Sequence, residues 1–155
     1  YQTIYEAVSD PRIVTWIHDW WDEAVTQIPL PDAELQTYQA SLLERYHNPR
    51  IRHLLAQIAA DGSAKIPIRI VPTIRAFLAD GRIAVGATRV LAAWLVHLRG
   101  VGAPVQDPRA AELTALARGP LDHAADALVA HLGIDSSEVS ATVARQAADI
   151  LVQAR

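Results

Sequence analysis

No cysteine occurs in the 155 residues. That excludes disulfide staples, thiolate nucleophiles and cysteine-ligated zinc, and it fits a reducing, cytoplasmic setting. Methionine is absent too, even at position 1, so the chain reads as a piece of a longer product. The six histidines (His18, His47, His53, His97, His123, His131) never stand three or four apart. No helix can therefore present a paired-histidine metal site, no metal is expected, and each reads as a surface or capping residue. No stretch free of Asp, Glu, Lys and Arg exceeds nine residues, Val90–Leu98 being one. A bilayer crossing needs about 20 apolar residues, and no signal-peptide pattern is present, so no membrane partner is expected. The net charge is −3 and the basic residues are scattered. No cationic stripe could neutralise a run of phosphates, which excludes nucleic acid as a partner. There is no internal repeat and no low-complexity segment.

What is present is apolar residues at helical spacing. Hydrophobic residues make up 51% of the chain and mean hydropathy is +0.12, high for a single domain that cannot enter a membrane. That surplus must go into a core or against another protein surface. Ile13, Trp16, Ile17, Trp20, Trp21, Ala24, Val25 and Ile28 recur at i, i+3, i+4, i+7, behind Asp10-Pro11, an N-cap followed by proline at the first helical position. Pro29 and Pro31 end that helix and launch another through Leu35, Tyr38, Leu42 and Tyr46, which Asn48-Pro49 breaks. Ile51, Leu54, Leu55, Ile58 and Ala59 predict a short helix closed by Asp61-Gly62. Ala87, Leu91, Trp94, Leu95 and Leu98 mark a strongly apolar helix ending at Gly100-Val-Gly102. Asp107-Pro108 starts the next, and Gly119-Pro120 separates it from Leu121–Leu132. Asp135 with Glu138 resembles a capping box for the last helix, carrying Val139, Val143, Ala147, Ile150 and Leu151. The four tryptophans read as core or interdomain packing. The expectation is an all-α multi-helix bundle of seven to nine helices.

Only residues 66–74 resist this scheme. Ile66, Ile68 and Ile70 alternate as in a strand, yet Pro67 and Pro72 count against a central one. We read a helix starting near Pro67 and kinked at Pro72, where the missing N–H frees the carbonyl of Ile68. Just before it stands Lys65, the only lysine against thirteen arginines. Its ammonium carries three freely rotating donors on a flexible stem, which suits sugar hydroxyls better than a flat guanidinium does.

The ordered residues here are Glu44-Arg45-Tyr46-x-Asn48-Pro49-x-Ile51, then Gln57-Ile58-x-x-Asp61-Gly62-Ser63-x-Lys65-x-Pro67-x-Arg69-x-x-Pro72. Together with Tyr5–Arg12 upstream, they resemble the C-terminal domain of the mannitol dehydrogenase family of long-chain polyol and hexonate dehydrogenases, which includes fructuronate reductases. The resemblance implies a helical domain of the type found at the C-terminus of 6-phosphogluconate dehydrogenase. It also implies an NAD-binding Rossmann domain on the N-terminal side as partner. In the family the catalytic lysine lies in a Lys-x-x-x-x-Asn-x-x-His motif upstream of a region like this one. Nothing here matches that motif, and there is no Gly-x-Gly-x-x-Gly turn to cradle a pyrophosphate. The expectation is that residues 1–155 hold no catalytic residue and do not catalyse alone.

By the same resemblance, Lys65 falls on a substrate hydroxyl-binding lysine. Gln57 falls where some mannitol-oxidising members carry an arginine, which points toward the fructuronate reductase branch. Arg69, one helical turn after Lys65, either pairs with a hexonate carboxylate or forms a surface or interdomain ion pair. Asp61, Gly62 and Ser63 would form the tight turn that aims Lys65, with glycine in a left-handed conformation and Asp61 or Ser63 as cap. The implied reaction interconverts a sugar alcohol or hexonate with its keto sugar using NAD. The rival reading is a non-enzymatic helical module whose apolar surplus binds a protein partner.

Overall fold

The computed structural model describes residues 1–153. The order is α1 (Ile4–Val8), α2 (Pro11–Ala24) with a 3-10 turn after it, α3 (Asp32–Tyr46), α4 (Leu55–Ala59), α5 (Gly62–Arg69), α6 (Val71–Ala79), α7 (Val85–Leu98), α8 (Ala110–Leu116), α9 (Leu121–His131) and α10 (Ser137–Gln153). Ten α-helices among the described residues exceed the seven to nine expected, because α1 is too short for a periodicity count and the proline-rich segment holds two helices. α1 has five residues, as does α4, the short helix expected before Asp61-Gly62, and the segment expected as one kinked helix forms α5 and α6. β-Pairing is limited, among the described residues, to one antiparallel bridge between Thr3 and Leu54. None of these helices is long and apolar enough to cross a membrane.

The bundle is built around α7. Ala87, Leu91 and Leu95 on its inner faces are wholly buried, and Val139 and Val143 of α10, Leu128 of α9, Leu113 of α8 and Ile74 of α6 close over them. Burying each such aliphatic chain contributes about 1.5–3 kcal/mol before ordering costs. On the opposite side α2 crosses α7 at very short range. A Cβ on Gly86 would lie 2.6 Å from the backbone of Asp19 and Trp20, so only glycine permits this approach. The crossing is fastened by charge. The Glu23 carboxylate accepts the N–H groups of Gly86 and Ala87, each at 2.8 Å, where the first turn of α7 leaves donors without helical partners. Asp19 pairs with Arg89 at 2.5 Å, and Arg89 lies over the Trp16 ring.

Several sequence expectations hold and several shift. Asp10 caps α2 through the N–H of Arg12, with Pro11 in the first turn. The cap of α10 is Ser136 rather than Asp135: its Oγ accepts the Val139 N–H, one residue later in register than the Asp135–Glu138 box. The helix expected to start near Pro67 starts at Gly62, and Pro67 lies inside it. The bend comes at Ile70 (φ −109°, ψ −48°), two residues before Pro72. Pro72 itself sits in the first turn of α6, where a missing N–H costs no hydrogen bond. Part of the apolar surplus stays outside the core: Ile68 is 71% exposed on α5 and Tyr38 65% exposed on α3.

Candidate functional site

The turn from α4 into α5 is formed by residues 60–62, and its chemistry differs from the expected one. Asp61, not Gly62, adopts the left-handed conformation (φ 57°, ψ 38°), which aspartate tolerates better than most residues with a side chain. Gly62 is needed for space. A Cβ there would lie 2.5 Å from Nε1 of the buried Trp94. Neither Asp61 nor Ser63 caps α5 with its side chain. The cap comes from Asp107, 44 residues away, whose Oδ2 accepts the Ser63 N–H at 2.8 Å while Oδ1 accepts that of Arg109 at 2.8 Å. The Asp61 N–H donates to the Gln106 carbonyl at 2.9 Å. Partial burial pushes the Asp107 carboxyl up, but the N–H groups of Ser63 and Arg109 outweigh it and hold it below the ordinary aspartate value.

This clamped turn aims Lys65. Its Nζ donates to the carbonyl oxygens of Ala60 (2.6 Å) and Ile58 (3.2 Å), oxygens at the end of α4 that have no helical partner. Two of the three ammonium donors are thereby used, and one remains for a ligand. Lys65 and Arg69 line one cleft of about 380 Å³ between α4, α5 and α7, walled by Trp20, Ile66, Val90 and Trp94 and reached at its end by His97. Gln57 is exposed on α4 and does not line this cleft. The structure thus brings Lys65 and Arg69 together and leaves Gln57 outside. Arg69 is exposed and forms no ion pair among the described residues.

The cleft walls are mainly apolar, and no carboxylate lines them. Trp20, Trp94, Lys65 and Arg69 can only donate hydrogen bonds, and Trp20 Nε1 is buried with no acceptor among the described residues. Such a cleft favours an oxygen-rich, acceptor-rich or anionic ligand. A second, apolar cleft of about 540 Å³ lies on the other side of α4, lined by Leu54, Leu55, Val101 and Ala103, and meets the first at Ala59 and His97. α4 has no buried residue and divides the two. Among the described residues no group of three or more His, Asp or Glu side chains is placed to hold a metal ion.

Sequence reasoning did not find the roles of Asp107, Glu23, His97 and the tryptophan walls. Asp107-Pro108 carries a helix-start signal, and one oxygen of Asp107 does serve its own turn. Nothing local signals that the other reaches back to residue 63.

A sequence model described as the mannitol dehydrogenase C-terminal domain matches residues 1–150. Mannitol dehydrogenase 2 of Saccharomyces cerevisiae is 38% identical over 128 residues, covering 76% of this chain and 25% of that protein. D-mannonate oxidoreductase of Escherichia coli is 32% identical over 123 residues, covering 72% of this chain and 24% of its own length. The chain thus spans about a quarter of the length of these curated relatives. Among solved structures, the mannitol 2-dehydrogenase of Pseudomonas fluorescens, in a ternary complex with NAD and D-mannitol, superposes with a TM-score of 0.86. It shares 29% identity, over 99% of this chain and 34% of that one.

Proposed function

The chain belongs to the mannitol dehydrogenase family, matching its C-terminal domain, and on that premise we propose that it is the substrate-binding part of an NAD-dependent oxidoreductase. The parent protein would interconvert a sugar alcohol or a hexonate with its keto sugar. The observation that carries this reading is the Lys65 ammonium. Two carbonyls hold it in place, one donor stays free, and it lines a cleft with Arg69 and no carboxylate. An ammonium fixed this way donates to a distal hydroxyl or carboxylate and orients the reacting carbon without moving its proton.

Arg69, with its planar fork of donors, would take a carboxylate where the substrate is a hexonate. Gln57, one residue before the cleft-lining Ile58, would be met only by a ligand that extends past the rim. Asp61, Gly62 and Ser63 act through Lys65 by fixing the turn beneath it.

The chain does not fit NAD by itself. It has no strand followed by a glycine-rich turn among the described residues to receive a pyrophosphate at a helix N-terminus. We therefore assign the dinucleotide and the catalytic base to an N-terminal Rossmann domain, and this chain alone to no turnover. NAD, when bound there, supplies the hydride acceptor. The cytoplasm is the location this proposal carries. The direct test is to assay the full-length parent with NAD against a panel of sugar alcohols and hexonates, following NADH. Turnover on at least one class is expected, and failure on all of them would end the assignment. The apolar residues exposed on α3 and α5 suit the rival reading of a binding module, but that reading gives no account of the fixed ammonium of Lys65.

A further inference from the structure

The donor-only character of the Lys65 cleft leaves a chemical imbalance. Every hydroxyl of a sugar alcohol or hexonate carries a proton as well as lone pairs, and a buried hydroxyl whose proton finds no acceptor costs about 1–3 kcal/mol. Among the side chains lining the cleft, Lys65, Arg69, Trp20 and Trp94 have no acceptor atom, and the remainder, His97 apart, have no polar side-chain atom. Of the nearby backbone acceptors, the carbonyls of Ile58 and Ala60 are already engaged by Lys65. His97 is the exception. An uncharged imidazole accepts at one ring nitrogen and donates at the other, which matches a hydroxyl on both counts.

His97 lies in the last turn of α7, half-buried, where the two clefts beside α4 meet. Its ring nitrogens have no hydrogen-bond partner among the described residues, unlike those of His47, which face the carbonyls of Leu43 and Val8. α7 carries the most buried residues of any helix, Leu91, Leu95 and Leu98 among them, so His97 projects from a helix anchored in the core.

We propose that His97 is a substrate-binding residue: the hydroxyl-proton acceptor of the Lys65 cleft, and the group that selects a hydroxylated carbon at the end away from Arg69. The assignment rests on the oxidoreductase reading above. It places the ligand chain between two ends of different chemistry, donors at Lys65 and Arg69 and a donor–acceptor at His97.

The test uses the full-length parent protein and four variants, Lys65→Ala, His97→Leu, His97→Gln and His97→Asn, with KM and kcat measured on the best polyol or hexonate substrate. His97→Leu should raise KM about tenfold and leave kcat within about twofold, since the residue binds ligand and moves no reacting atom. His97→Gln or His97→Asn, which keep an acceptor and a donor, should recover most of that loss. A deoxy substrate lacking the hydroxyl that meets His97 should bind wild type and His97→Leu alike. If Lys65→Ala loses activity while His97→Leu matches wild type on every substrate, the oxidoreductase reading stands and the role of His97 is overturned. If neither substitution matters, the Lys65 cleft does not bind the substrate and the role of His97 falls with it, while the oxidoreductase reading stands on the turnover of the wild type. If the leucine variant does not fold, as judged by its melting curve, the Gln and Asn variants with the deoxy series decide. A deoxy substrate discriminated equally by all of them overturns the proposal.

Discussion

Replacing Gly86 by alanine would put a methyl group 2.6 Å from the carbonyl carbon and oxygen of Asp19 and the amide nitrogen of Trp20. Ordinary contact for a Cβ begins near 3.4 Å, so α2 and α7 must part by about 1 Å along that line, since interiors this closely packed do not absorb such an overlap locally. All three atoms are backbone, so no side chain can swing aside. The movement carries Glu23 with α2, and its two 2.8 Å bonds to Gly86 and Ala87 stretch beyond hydrogen-bonding range. Overpacking of this kind costs about 1–3 kcal/mol, and weakening a charged hydrogen bond to a buried helix terminus adds about 1.5–3 kcal/mol. Against these stands a gain of at most about 1 kcal/mol from alanine's better helix propensity. Steric cost wins, and the expected net loss is about 2–4 kcal/mol, or roughly 5–15 °C in Tm for a chain of this size. Urea and thermal unfolding followed by far-UV circular dichroism measure it, with Val85→Ala, an exposed neighbour, as control. An alanine variant as stable as wild type, or more so, would show that helix propensity governs position 86 and that the crossing is not this close.

Glu23→Gln keeps one of the two acceptors of the α7 cap but loses the charge and sets an NH2 donor against the other N–H, and should cost about 1–2 kcal/mol; Glu23→Ala should cost about 2–3 kcal/mol, read by the same unfolding curves. The carboxyl of Asp107 is held below its ordinary value. The stability it contributes is therefore present above the unfolded-state value near 3.8 and is lost as pH falls below that through its folded value. An Asp107→Ala chain should accordingly be less stable at neutral pH and show a shallower acid limb than wild type; parallel acid limbs for the two would refute the cap. Arg69→Ala in the parent should raise KM for hexonates about tenfold or more and leave KM for uncharged sugar alcohols within about twofold. Equal effects on both substrate classes would assign Arg69 to an interdomain ion pair instead.

The parts of this fold that were legible in the sequence are those written locally. Asp10-Pro11, Asn48-Pro49 and Gly119-Pro120 mark helix boundaries through backbone restrictions that act whatever the surroundings, and the stripe from Ala87 to Leu98 announces the buried central helix. α1 was also readable in principle: Thr3 and Glu6 form a reciprocal capping box, but five residues are too few for periodicity to register. Long-range packing was not legible. Gly62 looks like a glycine required by its dihedral angles, yet it faces the indole of Trp94 while Asp61 takes the left-handed turn. Likewise, the break at Ile70 rather than at Pro72 follows from burying Ile66, Ile70, Val71 and Ile74 against the core, a demand that the spacing of two prolines does not reveal. In the candidate site, Lys65 and Arg69 share a cleft because i and i+4 share a helix face. Gln57 lies outside it because it is on another face of α4 than Ile58 and Ala59, which do line the cleft.

The central claim is that the Lys65 ammonium, held by the carbonyls of Ile58 and Ala60, orients a polyol or hexonate for hydride transfer. Steady-state kinetics of the full-length parent carrying Lys65→Ala test it most directly, together with NAD affinity measured by fluorescence titration. A tenfold to hundredfold drop in kcat/KM, matching the loss of about 1.5–3 kcal/mol from one charged hydrogen bond, with NAD binding unchanged, is the predicted result. Wild-type turnover on every sugar alcohol and hexonate, or a loss traced to weakened NAD binding, would contradict it.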